Sequence, residues 1–217
     1  IKYSIVIPTY NHCDDLLKPC IDSILDNTYL TDVEIIIVAN GCTDNTKKYV
    51  EELFSKFAYR GVCDNLRFHF EESAIGYTNA TNIGIKMARG EYIILMNNDV
   101  QLLPQKKSEW IDTLEQPFKK IDNVGITGPV KFYWKCGKNE YNALAFWLVM
   151  IRKEVFDNIG FLDDIYSPGM GEDGDFCIRA ALYGYELVSV PTDVSKEFNT
   201  GVENLNFPIF HVGNGTF

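Results

Sequence analysis

The stretch YSIVIPTYN (residues 3–11) decides the fold, because an apolar run in it is closed by Pro8 and followed at once by polar side chains. A run without polar alternation is typical of a strand buried on both faces of a parallel sheet. The same pattern recurs in VEIIIVA (residues 33–39) and in YIILM (residues 92–96). These three runs are therefore predicted to be the inner strands of one sheet.

Amphipathic segments separate the strands. Residues 14–27, 45–57 and 78–87 have the apolar spacing of helices, and residues 66–70 form a further predicted strand. Strands that alternate with helices indicate a parallel sheet with helices on both faces. The sequence thus predicts an α/β fold with a Rossmann-like, mostly parallel central sheet flanked by helices.

The second half of the chain is patterned differently. It contains predicted helices at residues 110–118, 153–159 and 176–183, and predicted strands at 124–129 and 144–151. A glycine-rich loop with three carboxylates is expected directly before the last helix. Because neither a repeat nor a linker is visible, residues 1–217 are expected to form a single domain. Its two functional halves are predicted at about 1–100 and about 101–217.

The chain is acidic, with 30 acidic and 20 basic residues among 217 and a net charge of −10. Such a surface repels nucleic acid and anionic membranes, so no nucleic-acid partner is expected. An acidic protein still binds a nucleotide when a metal cation bridges the two. No run of the chain is long and apolar enough to predict a transmembrane segment.

The six cysteines form no C-x-x-C pair, which argues against a zinc ribbon or a redox motif. Their apolar or turn-like surroundings indicate reduced, mostly buried thiols. We therefore expect a cytoplasmic protein, either free or peripheral to a membrane.

Three polar clusters follow predicted strands, at residues 9–11, 40–44 and 97–99. Ligands of open α/β sheets bind beyond the carboxyl ends of the strands, so the clusters are expected to converge on one site. Asp99 and the two asparagines before it offer oxygen ligands that suit Mg²⁺ or Mn²⁺. Taken alone, Asp99 fits a strand-to-turn cap equally well.

Other polar residues each have a functional and a structural interpretation. Glu172 or Asp173 could serve as a general base, or could cap the following helix. His211 could be a metal ligand or a half-buried side chain, and sequence spacing does not decide between the two. Asn79 and Asn82 share a helical face and could aim their amides at a nucleotide or sugar, or form a polar helix surface.

Several common motifs are missing. The first strand is followed by no G-x-G-x-x-G loop, and the chain contains neither a Walker A loop nor a G-x-S-x-G elbow. A Rossmann dinucleotide site and serine hydrolase chemistry therefore lack their sequence signals.

Four stretches, taken in order, resemble the family 2 glycosyltransferases with the GT-A fold. They are SIVIPTYNHCDDLLKPCIDSI, VEIIIVANGCTDNTKKYV, AIGYTNATNIGIKMARGEYIILMNNDV and VMIRKEVFDNIGFLDDIYSPGMGEDGDFCIRAALYGYELVSVP. The resemblance covers nearly the whole chain, and the order of the four stretches makes it specific.

The resemblance implies an inverting glycosyltransferase that uses a nucleotide sugar and Mn²⁺ or Mg²⁺. Asp173 is implied as the catalytic base with Glu172 as its competitor, and Asp99 and His211 as the metal ligands. Together with the polar clusters, it predicts twelve nucleotide-sugar-binding residues: Pro8, Thr9, Tyr10, Asn11, Asn40, Gly41, Asp44, Gly76, Asn79, Asn82, Asn97 and Asn98. A UDP-sugar is the favoured donor and a dTDP-sugar the second. The acceptor, a glycan, lipid-linked or protein hydroxyl, is expected to contact loops in the least patterned parts of the chain, at about residues 131–142 and after residue 192.

The chain departs from the family pattern at two positions. Asn40 replaces an aspartate in the turn expected to contact the base, and Asn97 replaces the first acid of the D-x-D metal motif. These substitutions leave open an inactive nucleotide-sugar-binding module. A nucleotidyltransferase is a further alternative, although the loop YNHCDD is neither glycine-rich nor basic.

Overall fold

The computed structural model describes residues 1–190, the backbone of residues 202–204, and residues 207–213. Its strands are β1 (Tyr3–Thr9), β2 (Val33–Asn40), β3 (Leu66–Glu71), β4 (Tyr92–Met96), β5 (Val100–Leu102), β6 (Val124–Gly128), β7 (Lys131–Cys136), β8 (Asn139–Leu144), β9 (Leu148–Arg152), β10 (Glu186–Ser189), β11 (Val202–Asn204) and β12 (Ile209–His211). Its α-helices are α1 (Lys18–Asn27), α2 (Thr46–Tyr59), α3 (Tyr77–Met87), α4 (Glu109–Lys120), α5 (Lys153–Ile159) and α6 (Glu172–Tyr183).

Seven strands form the main sheet, in the order β10-β6-β9-β4-β1-β2-β3. All pairs are parallel except those made by β9, which runs antiparallel to β4 and β6. The predicted mostly parallel α/β sheet is confirmed, and β1, β2 and β4 are inner strands as expected. Every residue of β1 and β2 is buried, which explains why their sequences lack polar alternation.

Helices cover both faces of this sheet. Successive side chains of a strand point to opposite faces, and β1 divides its residues accordingly. Ile5 and Ile7 pack with α1, whereas Val6 packs with α3 in the second hydrophobic cluster. Gly84 of α3 lies directly on β1, since a β-carbon there would be 2.3 Å from the Val6 Cγ1 atom. The helix is therefore held close to the strand end that carries the polar loop.

Two predictions for the second half are wrong. Residues 131–142 were expected to be an unpatterned loop, but they lie in the antiparallel hairpin of β7 and β8. Residues 144–151 were expected to form one strand, but Phe146 and Trp147 form a turn between β8 and β9. The turn stays within the apolar layer, as Phe146 is buried and Trp147 half-buried, so hydrophobic patterning did not reveal it.

Helix starts also differ from prediction. A turn of π-helix (Cys13–Leu17) precedes α1. Helix α6 begins at Glu172 rather than at residue 176, so the acidic residues occupy its first turn rather than a loop. Gly171 precedes them with φ of 109°, a left-handed conformation that favours glycine.

No helix in the described part of the chain combines the length and apolar character needed to cross a bilayer. Five cysteine thiols are described, and all are free, with Cys13, Cys20 and Cys177 buried. The predicted acceptor residues after 192 lie mostly outside the described residues.

Candidate active site

A cavity of about 310 Å³ opens at the carboxyl ends of β1 and β2. Its lining residues are Pro8, Thr9, Tyr10, Asn40, Ala74, Gly76, Tyr77 and Pro168. Five of the twelve predicted nucleotide-sugar-binding residues are among them: Pro8, Thr9, Tyr10, Asn40 and Gly76. The two strand ends meet here because β1 and β2 are parallel neighbours, so both carboxyl ends lie at the same sheet edge.

The turn after β2 is fastened to the chain before α3. The Asn40 Oδ1 atom accepts a hydrogen bond from the Ile75 backbone N–H at 2.7 Å. Gly41 has φ of 68°, and a β-carbon there would lie 2.2 Å from the Ala74 nitrogen. Only glycine allows this backbone approach. The cavity wall formed by Asn40 and Ala74 therefore depends on a direct backbone contact.

The loop after β1 is held against the loop after β2. Asn11, with φ of 55°, accepts a hydrogen bond at Oδ1 from the Thr43 backbone N–H at 2.8 Å. The Asp44 carboxylate accepts hydrogen bonds from the Cys13 N–H and the Thr46 hydroxyl, at 2.8 and 2.6 Å. Partial burial raises the pKa of Asp44, but these hydrogen bonds outweigh it and lower the pKa overall. Asn11, Gly41 and Asp44 thus shape the loops, and none of the three lines the cavity.

Asn79 and Asn82 do not line this cavity either. The Asn82 amide exchanges two hydrogen bonds with the Leu162 backbone, at 2.8 and 3.1 Å. The Asn79 Nδ2 atom donates to the Ile75 carbonyl at 2.9 Å. Both residues border a second cavity of about 530 Å³ beside Phe161. In the structure these amides satisfy main-chain groups, which carry a desolvation penalty when they are buried without a partner.

Asp99 and His211 lie together beyond the end of β4. The His211 Nε2 atom is 3.4 Å from the Asp99 Oδ1 atom. Strand β12 pairs with β5 so that His211 is opposite Val100, and the Val212 N–H donates to the Asp99 carbonyl at 3.0 Å. The pairing of these two short strands brings the predicted metal ligands together.

Buried oxygen atoms at this point lack hydrogen-bond partners. Asp99 is 3% exposed, and its Oδ1 atom accepts no hydrogen bond among the described residues. The buried Asn97 Oδ1 atom likewise accepts no hydrogen bond from the described residues. The Asn98 Nδ2 atom, in contrast, donates to the Thr9 hydroxyl at 2.9 Å. Unsatisfied buried oxygens are costly, and a hard divalent cation suits them.

In residues 1–190, 202–204 and 207–213, no three His, Cys, Asp or Glu side chains group as a metal site. Further ligands would have to come from elsewhere, for example from a bound diphosphate.

The first turn of α6 carries two carboxylates with perturbed acidity. Burial, together with the neighbouring charge of Asp173, raises the pKa of Glu172 to about 7. The Glu172 Oε2 atom is buried and has no hydrogen-bond partner within the described part of the chain. Burial also raises the pKa of Asp173, although its carboxylate accepts a hydrogen bond from the Gly174 N–H at 2.7 Å and faces the Phe146 N–H. Perturbed carboxylates in a cleft mark a candidate catalytic site.

Tyr77 connects the two ends of the site. It lines the cavity, and its hydroxyl donates to the Phe146 carbonyl at 3.4 Å. Burial and the charges of Glu172, Asp173 and Asp99 all raise the pKa of this phenol. The three carboxylates therefore all act electrostatically on one tyrosine. Tyr77 is not among the residues predicted from the sequence, although its position directly after Gly76 at the start of α3 is a usable signal.

The hairpin of β7 and β8 packs over the acidic end of the site. Gly174 lies inside α6, and a β-carbon there would be 2.4 Å from the Trp134 indole. Glycine in a helix costs about 1 kcal/mol relative to alanine, and here it makes room for the aromatic ring. Trp134 of β7 therefore contacts the helix turn that carries Asp173.

Comparison with known proteins agrees with this geometry. The model of the glycosyl transferase family 2 matches residues 4–170. Glycosyltransferase GlyA of Streptococcus pneumoniae is 26% identical over 171 residues, which cover 76% of this chain and 22% of GlyA. The uncharacterized glycosyltransferase YibD of Escherichia coli is 24% identical, with 95% of this chain and 67% of YibD covered.

Solved structures share the fold. The mannosyltransferase PcManGT from Pyrobaculum calidifontis, in complex with GDP-Man and Mn²⁺, superposes with a TM-score of 0.68 at 20% identity, covering 89% of this chain and 55% of that one. GalNAc-T7 with UDP, GalNAc and Mn²⁺ superposes with a TM-score of 0.69 at 17% identity, covering 86% and 42%. At these identities the likeness shows the GT-A-type fold alone. Because the family model spans most of its length, the chain belongs to glycosyl transferase family 2.

Proposed function

We propose that the protein transfers a sugar from a nucleoside-diphosphate sugar to an acceptor hydroxyl, with metal assistance and with inversion at the anomeric carbon. One observation carries this proposal: Tyr77 lines the cavity and experiences the charges of Asp99, Glu172 and Asp173. A donor in the cavity would therefore lie beside both a cation site and a pair of candidate bases. Residues 1–100 would supply most donor contacts, and the later half the base and the acceptor contacts.

The donor would occupy the cavity with its base beside the loops after β1 and β2. Pro8, Thr9 and Tyr10 would line one wall, and Asn40 the other. The family resemblance favours a UDP-sugar, with a dTDP-sugar second. The solved relatives were obtained with GDP-Man and with UDP, which fits a nucleotide-sugar donor without fixing the base.

Mn²⁺ or Mg²⁺ would be held by Asp99 and His211, with the Asn97 amide oxygen as a further candidate ligand. These residues suit a divalent cation because the buried Oδ1 atoms of Asp99 and Asn97 accept no hydrogen bond from the described residues. The His211 Nε2 atom lies beside the Asp99 Oδ1 atom. When bound, the cation neutralises the negative charge of the departing nucleoside diphosphate.

Asp173 would act as the general base. Its carboxylate takes the proton from the acceptor hydroxyl while that oxygen forms a bond to the anomeric carbon. The bond to the nucleoside diphosphate breaks on the opposite face, which inverts the configuration. General-base help of this kind contributes roughly 10²–10⁴-fold in rate. Glu172 is the competing candidate, because its pKa of about 7 also suits proton transfer near neutrality.

A panel of UDP-, dTDP- and GDP-sugars with Mn²⁺, read by thermal shift and by slow donor hydrolysis without acceptor, tests the proposal. A donor that binds only the folded state raises the melting temperature by mass action. Stabilisation by one donor together with its hydrolysis is the expected result. Stabilisation without hydrolysis or transfer would instead identify an inactive binding module, which Asn40 and Asn97 leave open. Pyrophosphate release from a nucleoside triphosphate would identify a nucleotidyltransferase.

A further inference from the structure

Trp147 forms an aromatic stack with the candidate metal ligand His211. The ring centroids are 4.7 Å apart and the ring planes differ by 11°. Trp147 is half-buried and lies in the turn between β8 and β9. Its carbonyl accepts a hydrogen bond from the Asn97 N–H at 2.9 Å, which fastens the turn to the end of β4. The indole is therefore attached to the same strand end that carries Asp99.

The backbone alone does not fix the direction of the His211 imidazole. Strand β12 holds the main chain of residue 211 beside β5, but the side chain keeps its own torsional freedom. An indole face parallel to the imidazole restricts that freedom while leaving the ring edge, which carries Nε2, directed toward Asp99. Offset stacking of aromatic rings contributes beyond the area that they bury.

We propose that Trp147 is a positioning residue for the cation site, whose indole holds the His211 imidazole with Nε2 facing Asp99. The inference rests on the proposed metal-assisted function and adds a residue that contacts neither the cation nor the donor. Residues that orient a metal ligand without binding the metal typically contribute roughly 10–100-fold to metal affinity. Without the stack, His211 would lose its torsional freedom only when the cation binds, and affinity would fall.

The primary test measures Mn²⁺ binding by electron paramagnetic resonance of free Mn²⁺, with and without UDP. Trp147→Leu is expected to weaken Mn²⁺ affinity by roughly 10–100-fold. Trp147→Phe keeps an aromatic face and is expected to restore affinity to within a few-fold of the wild type. Tyr183→Leu removes a ring from another aromatic stack, that of Tyr183 with Tyr185, at the opposite end of α6 from Asp173, and is expected to leave Mn²⁺ affinity unchanged.

A spectroscopic readout separates positioning from general destabilisation. The stacked indole is expected to shift the imidazole proton resonances of His211 upfield, and Trp147→Leu should remove that shift even in metal-free protein that remains folded. Equal Mn²⁺ affinity in the wild type and Trp147→Leu would overturn the positioning role alone, as would equal losses in the Leu and Phe variants. Absence of Mn²⁺ binding by the wild type, with UDP present, would overturn the metal-assisted function as well.

Discussion

A β-carbon on Gly41 would lie 2.2 Å from the backbone nitrogen of Ala74, so the turn after β2 and the chain before α3 touch without any side chain between them. Gly61 provides the matched comparison. Its φ of 70° is close to the 68° of Gly41, yet a β-carbon on Gly61 would meet no atom within 4 Å. The two glycines share a left-handed φ, and they differ in the space around them.

Gly41→Ala should therefore destabilise the protein more than Gly61→Ala. Left-handed backbone strain costs about 1–2 kcal/mol in either variant. Gly41→Ala adds an overpacking penalty, typically about 1–3 kcal/mol, and displaces Ala74 from the cavity wall. Urea unfolding measures the stability difference, and calorimetry with UDP and Mn²⁺ measures the expected loss of nucleotide affinity. Equal stability and equal nucleotide affinity in the two variants would contradict the close contact.

Asp173→Asn should abolish sugar transfer, with a fall of at least about 10²-fold, while donor affinity stays nearly normal. The reason is that the amide cannot take the acceptor proton. Glu172→Gln serves as the comparison, because both residues lie in the first turn of α6. Turnover, donor affinity and melting temperature are measured for each variant. Near-normal turnover in Asp173→Asn would reject its assignment as base and direct attention to Glu172.

Glu172→Gln should also change how stability depends on pH. The Glu172 pKa is raised from 4.5 to about 7 in the folded protein, so the folded state binds more protons than the unfolded state between these values. Stability of the wild type should therefore fall as pH rises through this window, and Glu172→Gln should lose that part of the dependence. At pH 8 the variant should be the more stable by up to a few kcal/mol.

Urea titrations at pH 5, 6, 7 and 8 measure this difference. The advantage of the variant should shrink as pH falls toward 4.5. A difference between the proteins that is independent of pH would show that Glu172 does not titrate as inferred.

Donor preference should follow the order UDP, then dTDP, then GDP. Titration calorimetry with each nucleoside diphosphate and Mn²⁺ ranks them, and a clear preference for GDP would overturn the choice. Asn40→Asp should preserve binding, since a carboxylate oxygen can still accept the Ile75 N–H that Asn40 Oδ1 accepts at 2.7 Å. Asn40→Leu should weaken binding, because the wall of the cavity loses this attachment.

Buried strands were predictable because burial on both faces leaves a continuous apolar run. Residues 33–39 were predicted as a strand and form β2 (Val33–Asn40). The same logic failed at residues 144–151, because a turn made of Phe146 and Trp147 is as apolar as the strands beside it. Glycine caused the opposite error. Gly174 predicted a loop, but it lies within α6, where the missing side chain leaves room for the Trp134 indole.

The candidate site was predictable where polar residues end strands, and less so where tertiary contacts redirect side chains. Asp99 and His211 are predicted to lie close enough to share a cation, and the His211 Nε2 atom is 3.4 Å from the Asp99 Oδ1 atom. For Asn82 the sequence left a ligand contact and a structural role open, and in the structure both ends of its amide bind the Leu162 backbone. No local pattern reveals that contact, because Leu162 comes from a distant part of the chain.

The turn between β8 and β9 contacts both ends of the proposed site and so limits the distance between them. Phe146 supplies an N–H that faces Asp173 and a carbonyl for Tyr77, and Trp147 supplies a carbonyl for Asn97 and a ring for His211. Adjacent α-carbons are about 3.8 Å apart, so a single peptide unit connects the contacts of the proposed base with those of the proposed cation site. An inserted residue here would misalign the two ends of the proposed site, whereas an insertion at the hairpin tip, beside Gly137, would only reshape the surface proposed to meet the acceptor. Length variation that tunes acceptor choice is therefore expected at the tip, while the turn keeps its length.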